Sequence, residues 1–179
     1  MSRRAKVLSS KIIYDGPVFG VRHDEVIEPG GIRTSRDLVT HFGSIVVLPV
    51  LPDGRILLIR QYRHAIGQYL WELVAGRVEK GENLLGAAKR ELLEETGYTA
   101  RRFRKLLRLF PTPGFLSEFM VIYAAEGLVA GAAQPEKDER IITRAFTLRE
   151  LERWMRNGKL RDAKSLAGIL YYTRFLRKK

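Results

Sequence analysis

Three carboxylates, Glu91, Glu94 and Glu95, fall within five positions of a stretch rich in helix-forming Leu, Ala, Lys, Arg and Glu. At about 100° per residue, Glu94 and Glu95 lie on either side of Glu91, so one helical arc of roughly 100° carries all three. That arrangement works against the helix. Like charges one turn apart cost about 0.2–0.5 kcal/mol per pair, and the C-terminal end of the helix dipole disfavours anions. A cation is therefore called for, and hard divalent ions such as Mg²⁺ take oxygen ligands of this kind. The plainer reading, a solvated acidic face on a surface helix, uses the same residue types and stays open on these residues alone.

The elements that must hold these groups can be read around them. Residues 76–81 form a glycine-bounded turn, and 82–96 are expected to be one helix. Gly97 follows the last turn, where a left-handed cap costs glycine little. Leu85, Ala88 and Leu92 share a neighbouring arc and are expected to face a core. Upstream, 44–51 (SIVVLPVL) reads as a buried strand, Pro52-Asp53-Gly54 as a turn, and 55–61 as a strand pairing back in a hairpin. Residues 69–74 lead into the glycine turn. Residues 103–109, 118–125 and 141–146 read as further strands, and 148–156 and 165–176 as closing helices. A mixed sheet covered by helices on both faces follows, an α/β/α sandwich over 43–179. Residues 1–42 differ. They suggest a small antiparallel β-rich segment, with strands at 18–26 and 32–41 around Pro29-Gly30-Gly31 and too few apolar residues to fold alone.

Composition sets the outer limits. The 179 residues suffice for one domain with a small appendage, and 45% hydrophobic with 29% charged residues suits a soluble globular protein. With no cysteine, disulfides, thiolate catalysis and cysteine-based zinc sites are excluded. His23, His41 and His64 are scattered without metal-ligand spacing. The start carries basic residues but no apolar core of a secretory signal, and no apolar run approaches the ~20 residues of a membrane span, so a cytoplasmic protein is expected. The net charge of +12 is partly concentrated in Arg3, Arg4, Lys6, Arg174, Arg177, Lys178 and Lys179. Solubility accounts for it more simply than nucleic-acid binding, because no base-stacking motif accompanies it.

The segment from Gly76 to Tyr98 is more specific than its acidic cluster. Gly76, Glu82, Arg90, Glu91, Leu92, Glu94, Glu95 and Gly97 stand at the eight fixed positions of a 23-residue pattern that resembles the Nudix hydrolase signature; Tyr98 replaces the usual aliphatic residue. The resemblance implies Glu91 and Glu95 as metal ligands, Glu94 as a further ligand, and the carbonyl of Ala75 facing the metal, with Mg²⁺ or Mn²⁺ as cofactor. It implies that Arg90 orients the carboxylates and that Glu82 pairs with Arg90, while Gly76 and Gly97 shape the motif.

Other positions resemble the ADP-ribose pyrophosphatase branch. These are Arg60-Gln61-Tyr62-Arg63, Trp71-Glu72-Leu73, Ala75-Gly76, and Pro113, sixteen residues after Gly97. Val74 and Arg77 depart from that branch and bear on fine substrate preference. The resemblance implies a nucleotide-sugar substrate, with ADP-ribose cut to AMP and ribose 5-phosphate, and a homodimer formed through the N-terminal β segment. Arg63 would meet a phosphate, or else form a surface ion pair with Glu72. Gly114, Phe115, Phe19 and Glu72 would contact the substrate, although Phe19 and Phe115 read more readily as core residues. A general base is implied on the acidic loop, with Glu139 first, Glu136 second and Glu118 third. The alternatives are another diphosphate (a GDP-sugar, a dinucleoside polyphosphate or an RNA cap) and a non-catalytic module that binds ADP-ribose or nucleic acid.

Overall fold

The computed structural model describes residues 4–131 and 140–176. Two units emerge, one built from residues up to Gly43 with Phe110–Phe119, the other from Ser44–Leu109 with the remainder. In the first unit, β1 (Lys6–Asp15), β2 (Gly20–Ile27) and β3 (Arg33–Thr40) form an antiparallel sheet in that order. Strand β1 had no counterpart in the sequence reading; all ten of its residues are exposed, so no apolar/polar alternation marks it. Gly30 and Gly31, both with φ near +90°, turn β2 into β3. Val39 receives a further segment: its N–H donates to the Phe115 carbonyl at 2.8 Å, and its carbonyl accepts from the Ser117 N–H at 2.9 Å.

The second unit is a seven-stranded mixed sheet. Its strands are β4 (Ser44–Val50), β5 (Ile56–Arg63), β6 (Gln68–Glu72), β7 (Val74–Arg77), β8 (Tyr98–Leu109), β9 (Met120–Ala130) and β10 (Ile142–Phe146). The path runs β10-β5-β4-β9-β8, with β6 on β5 and β7 on β4; among the described residues of this sheet only β4 and β9 pair in parallel. Three helices accompany it, α1 (Leu84–Thr96), α2 (Leu148–Arg156) and α3 (Ala163–Phe175). Every residue of β4 is buried, which its unbroken apolar run anticipates for a strand covered on both faces. Val46, Leu48 and Val50 join Phe146, Leu151 and Ile169 in one core with α2 and α3. Ile45 and Val47 are equally buried on the opposite face, and α1 packs on β4, β7 and β8. The α/β reading of mixed sheet and helices, with a small antiparallel sheet before it, is what the structure has.

The expected hairpin between β4 and β5 closes only at its base, where Val50 opposes Ile56. Beyond that pair the two strands splay. Residues 68–77 fill the wedge, first as β6 against β5, then as β7 against β4. Strands β8 and β9 are longer than their apolar patterns suggest. Strand β8 is the sheet edge and exposes Arg101, Arg102, Arg104, Lys105 and Arg108. Charge on an edge strand discourages pairing with another chain, and this accounts for part of the basic excess. Among the described residues no helix is long and apolar enough to cross a membrane.

Candidate active site

Helix α1 begins after Asn83, whose side chain accepts the Gly86 N–H at 2.8 Å. Glu82, expected inside the helix, lies before it and accepts the Glu79 N–H at 3.2 Å. Gly97 closes the helix at φ 74°, donating to the Leu93 carbonyl at 2.8 Å. The buried face consists of Ala87, Ala88 and Leu92, whereas Leu85 is 38% exposed. Leu85 sits in the first turn, beyond the area that β7, β4 and β8 cover.

Arg90 gathers the carboxylates. Its Nε and Nη2 donate to Glu82 Oε1 and Oε2, each at 3.1 Å. Its Nη1 donates to Glu91 Oε1 at 2.8 Å and Glu94 Oε2 at 2.9 Å, and Nη2 also reaches the Arg77 carbonyl at 3.1 Å. A guanidinium has five N–H groups, and these five contacts use them all. The hydrogen bonds from Arg90 hold the Glu82 carboxyl below the usual carboxylate range, and those to Glu82 push the guanidinium further up. One guanidinium thus ties Glu82, Glu91 and Glu94 together, with Glu95 on the same helix. Among the described residues no three His, Asp or Glu side chains already converge as a finished metal cage.

Glu95 is 4% exposed, and its Oε2 accepts the Ala75 N–H at 3.3 Å. Ala75 stands opposite Val46 in the antiparallel β4–β7 ladder. The N–H and carbonyl of one residue in such a ladder point to the same side. The Ala75 carbonyl therefore turns with its N–H, away from β4. Gly76 lies flat against Glu91: a Cβ built there would sit 1.9 Å from Glu91 Oε1. Strand β7 thus lies against two carboxylates of α1, Glu91 and Glu95. Carboxylates are hard oxygen donors of the kind a Mg²⁺-sized ion takes.

A second clamp lies in the same unit. Arg63, the last residue of β5, donates from Nε to Glu72 Oε1 at 2.8 Å and from Nη2 to Glu72 Oε2 at 2.7 Å. This pair is no surface contact, because the Glu72 side chain is 1% exposed. Lys164 Nζ also bonds Glu72 Oε2. Burial alone would raise the Glu72 carboxyl, but the hydrogen bonds from Arg63 and the charge of Lys164 bring it below its ordinary value. The hydrogen bonds that Arg63 donates to Glu72, together with the nearby Glu95 charge, raise Arg63 further. Sequence reasoning missed Lys164; the only local signal was Asp162 three residues before Ser165, a helix cap.

The remaining candidates are placed elsewhere or outside the described residues. Phe19, Gly114, Phe115 and Glu118 belong to the first unit. Phe19 and Phe115 are both exposed, which rules out the core role, and Phe19 stacks at 5.5 Å on Tyr14. A Cβ at Gly114 would meet nothing within 4 Å, so packing does not require glycine there. Glu118 Oε1 lies 3.7 Å from His41 Nδ1. Glu136 and Glu139 lie outside the described residues.

Comparison with known proteins finds relatives over most of the chain. Residues 40–167 match the NUDIX domain. The ADP-ribose pyrophosphatase of Bacillus subtilis is 31% identical over 172 residues, covering 95% of this chain and 93% of that protein. The methanol dehydrogenase activator of Bacillus methanolicus is 31% identical over 168 residues, covering 93% and 91%. The crystal structure of an ADP compounds hydrolase superposes with a TM-score of 0.83 over 97% of this chain and 94% of the other, at 20% identity, and so shares its fold. With the box, its flanking strand and most of the chain accounted for in this way, the protein belongs to the Nudix family of pyrophosphohydrolases.

Proposed function

We propose that the chain hydrolyses a nucleoside diphosphate linked to a second group, with ADP-ribose, cut to AMP and ribose 5-phosphate, as the leading substrate. Nudix hydrolases generally use a divalent metal, typically Mg²⁺. The observation that carries the reading is the gathering of carboxylates at the end of α1, where Arg90 ties Glu82, Glu91 and Glu94 together and the buried Glu95 meets the Ala75 amide of β7. Glu91, Glu94, Glu95 and the Ala75 carbonyl would hold Mg²⁺, with Mn²⁺ as a substitute. When bound, the ion neutralises the diphosphate and eases ionisation of the attacking water.

The chain's own residues then do the positioning. Arg90 has no donor left for a ligand and fixes the carboxylates. Arg63 spends Nε and Nη2 on Glu72, and its Nη1 can donate to a phosphate oxygen. Glu139 takes the proton from water as general base, with Glu136 and then Glu118 as the other candidates. The water oxygen bonds to one phosphorus, the bridging P–O bond breaks, and the leaving phosphate keeps the electron pair.

The unit that holds β1 pairs with a second copy in a homodimer. Val7, Leu8, Ile12, Ile13 and Tyr14 of β1 are all exposed and offer the apolar surface for it. Light scattering on the intact protein should then give twice the monomer mass; a monomer at micromolar concentration overturns the pairing.

The function is tested by incubating the protein with ADP-ribose and Mg²⁺, with and without EDTA, and identifying the products. Equal amounts of AMP and ribose 5-phosphate, lost with EDTA, are expected. Hydrolysis of a GDP-sugar, dinucleoside polyphosphate or capped RNA in preference would move the substrate. Binding of ADP-ribose without turnover would make this a binding module.

A further inference from the structure

We infer that Lys164, in the first turn of α3, is a positioning residue for Arg63. It acts by fixing the carboxylate that grips the arginine. The inference deepens the reading of Arg63 as a phosphate donor and rests on it for its kinetic consequence.

One guanidinium would suffice to neutralise Glu72, yet Glu72 Oε2 accepts from both Arg63 Nη2 and Lys164 Nζ. The Lys164 side chain is 10% exposed, and its ammonium is balanced in turn by Asp162 Oδ1 at 2.9 Å. Asp162 is the N-cap of α3. Its Oδ2 accepts the Ser165 N–H at 3.0 Å and the Ser165 hydroxyl at 2.5 Å. The wholly buried Ser165 Oγ accepts the Leu73 N–H at 2.7 Å. Leu73 lies between β6 and β7, where the chain passes from pairing with β5 to pairing with β4, and it belongs to neither strand. Ser165 supplies the partner that a buried amide requires.

Helix α3 is in turn held fast on the sheet. Gly168, one turn further on, lies so close that a Cβ there would sit 2.9 Å from Leu73 Cδ1 and 3.4 Å from Ile122 Cγ2. The Glu72 carboxylate is thus located by a packed helix 92 residues away, and not only by the β5–β6 hairpin that carries it. Arg63 is 38% exposed on its side chain and would otherwise be free to swing outward with its partner. Donors already fixed before a ligand arrives lose less freedom on binding it.

The test is Lys164→Gln, with Lys164→Arg as the conservative rescue, in the full chain with Mg²⁺ and ADP-ribose. KM should rise about tenfold, the scale of losing a group that orients a ligand-binding side chain, with kcat within about twofold. Lys164→Arg should recover most of the loss. A second readout needs no turnover. By ¹⁵N NMR the Arg63 Nε–H, bonded to Glu72, should exchange with solvent about tenfold faster in Lys164→Gln, as expected when a hydrogen-bonded donor is less firmly held. A lowered Tm with unchanged KM and unchanged exchange would make Lys164 a mere staple and overturn the inference. If the wild type cleaves no diphosphate, the functional reading fails by itself, and the exchange rate alone decides whether Lys164 holds Arg63. Should Lys164→Gln not fold, Asp162→Asn is read in the same way, because it keeps a capping side chain while removing the counter-charge of Lys164.

Discussion

Two arginines of the second unit are gripped by glutamates, and the grips differ in what they leave over. Arg90 spends all five N–H groups on the protein, and none of its partners lies more than 13 positions away. Arg63 spends two nitrogens on one glutamate, and that glutamate is shared with a lysine 92 positions further on. A saturated guanidinium organises the anions around it and has nothing to offer a ligand. A half-used one, set in place by groups beneath it, retains donors for a phosphate. The first clamp is scaffold for the carboxylates; the second has the form of a binding arm.

The largest test of this contrast is on the scaffold side. Glu95→Gln should lower kcat for ADP-ribose by roughly a thousandfold at saturating Mg²⁺, about the size of removing a main electrostatic stabiliser of a transition state. Near-normal turnover would end the metal reading of α1. Next, on the arm side, Glu72→Gln should destabilise the fold by about 3–5 kcal/mol at pH 7, because it leaves Arg63 and Lys164 facing a neutral, buried amide. Urea unfolding measures this; a loss below about 1 kcal/mol, the scale of an exposed pair, would reduce the clamp to surface decoration.

Gly76→Ala should come third and should separate activity from stability. The added methyl displaces only the end of the Glu91 side chain, so Tm should barely move. A misplacement of about an ångström at the carboxylate should cost on the order of a hundredfold in kcat. Unchanged kcat would mean that the position of Glu91 against β7 does not matter. Arg63→Lys should cost less, raising KM about tenfold, since an ammonium cannot make the same forked contact with Glu72 while also donating to a phosphate.

The smallest effect is in acid. Glu72 and Glu82 both have folded values below the ordinary glutamate range, so each stabilises the fold above that range, and the contribution is lost as pH falls through the folded value. Glu72 is buried under two cations and Glu82 is not. Below about pH 4.3 the gap in urea midpoint between wild type and Glu72→Gln should narrow, and the smaller gap for Glu82→Gln should narrow with it. Parallel curves for wild type and Glu72→Gln across that range would contradict the pKa direction.

The two clamps also mark what a linear reading reaches. Glu91, Glu94 and Glu95 share a helix arc because the helix repeat makes them do so, and Gly97 ends that helix because glycine accepts a positive φ. Those are short-range facts. The same reasoning put Leu85 in the core, where the sheet does not reach it, and put Glu82 inside a helix that Asn83 caps instead. It missed β1, which has no buried face, and it paired β4 with β5 along a hairpin whose strands part after one residue pair. Phe19 and Phe115 look like core residues by type, yet they are exposed.

Residue order alone therefore settled the helix, its acidic arc, its cap and the layered α/β class, because each follows from interactions within a turn or two or from the period of apolar side chains. Which strand meets that arc was decided by the wedge between β4 and β5. Insertion of residues 68–77 there sets the Ala75 amide against Glu95. Tertiary packing likewise chose Lys164 as the second cation on Glu72. Burying a carboxylate without enough partners is costly, and only the folded chain determines which cation lies within reach.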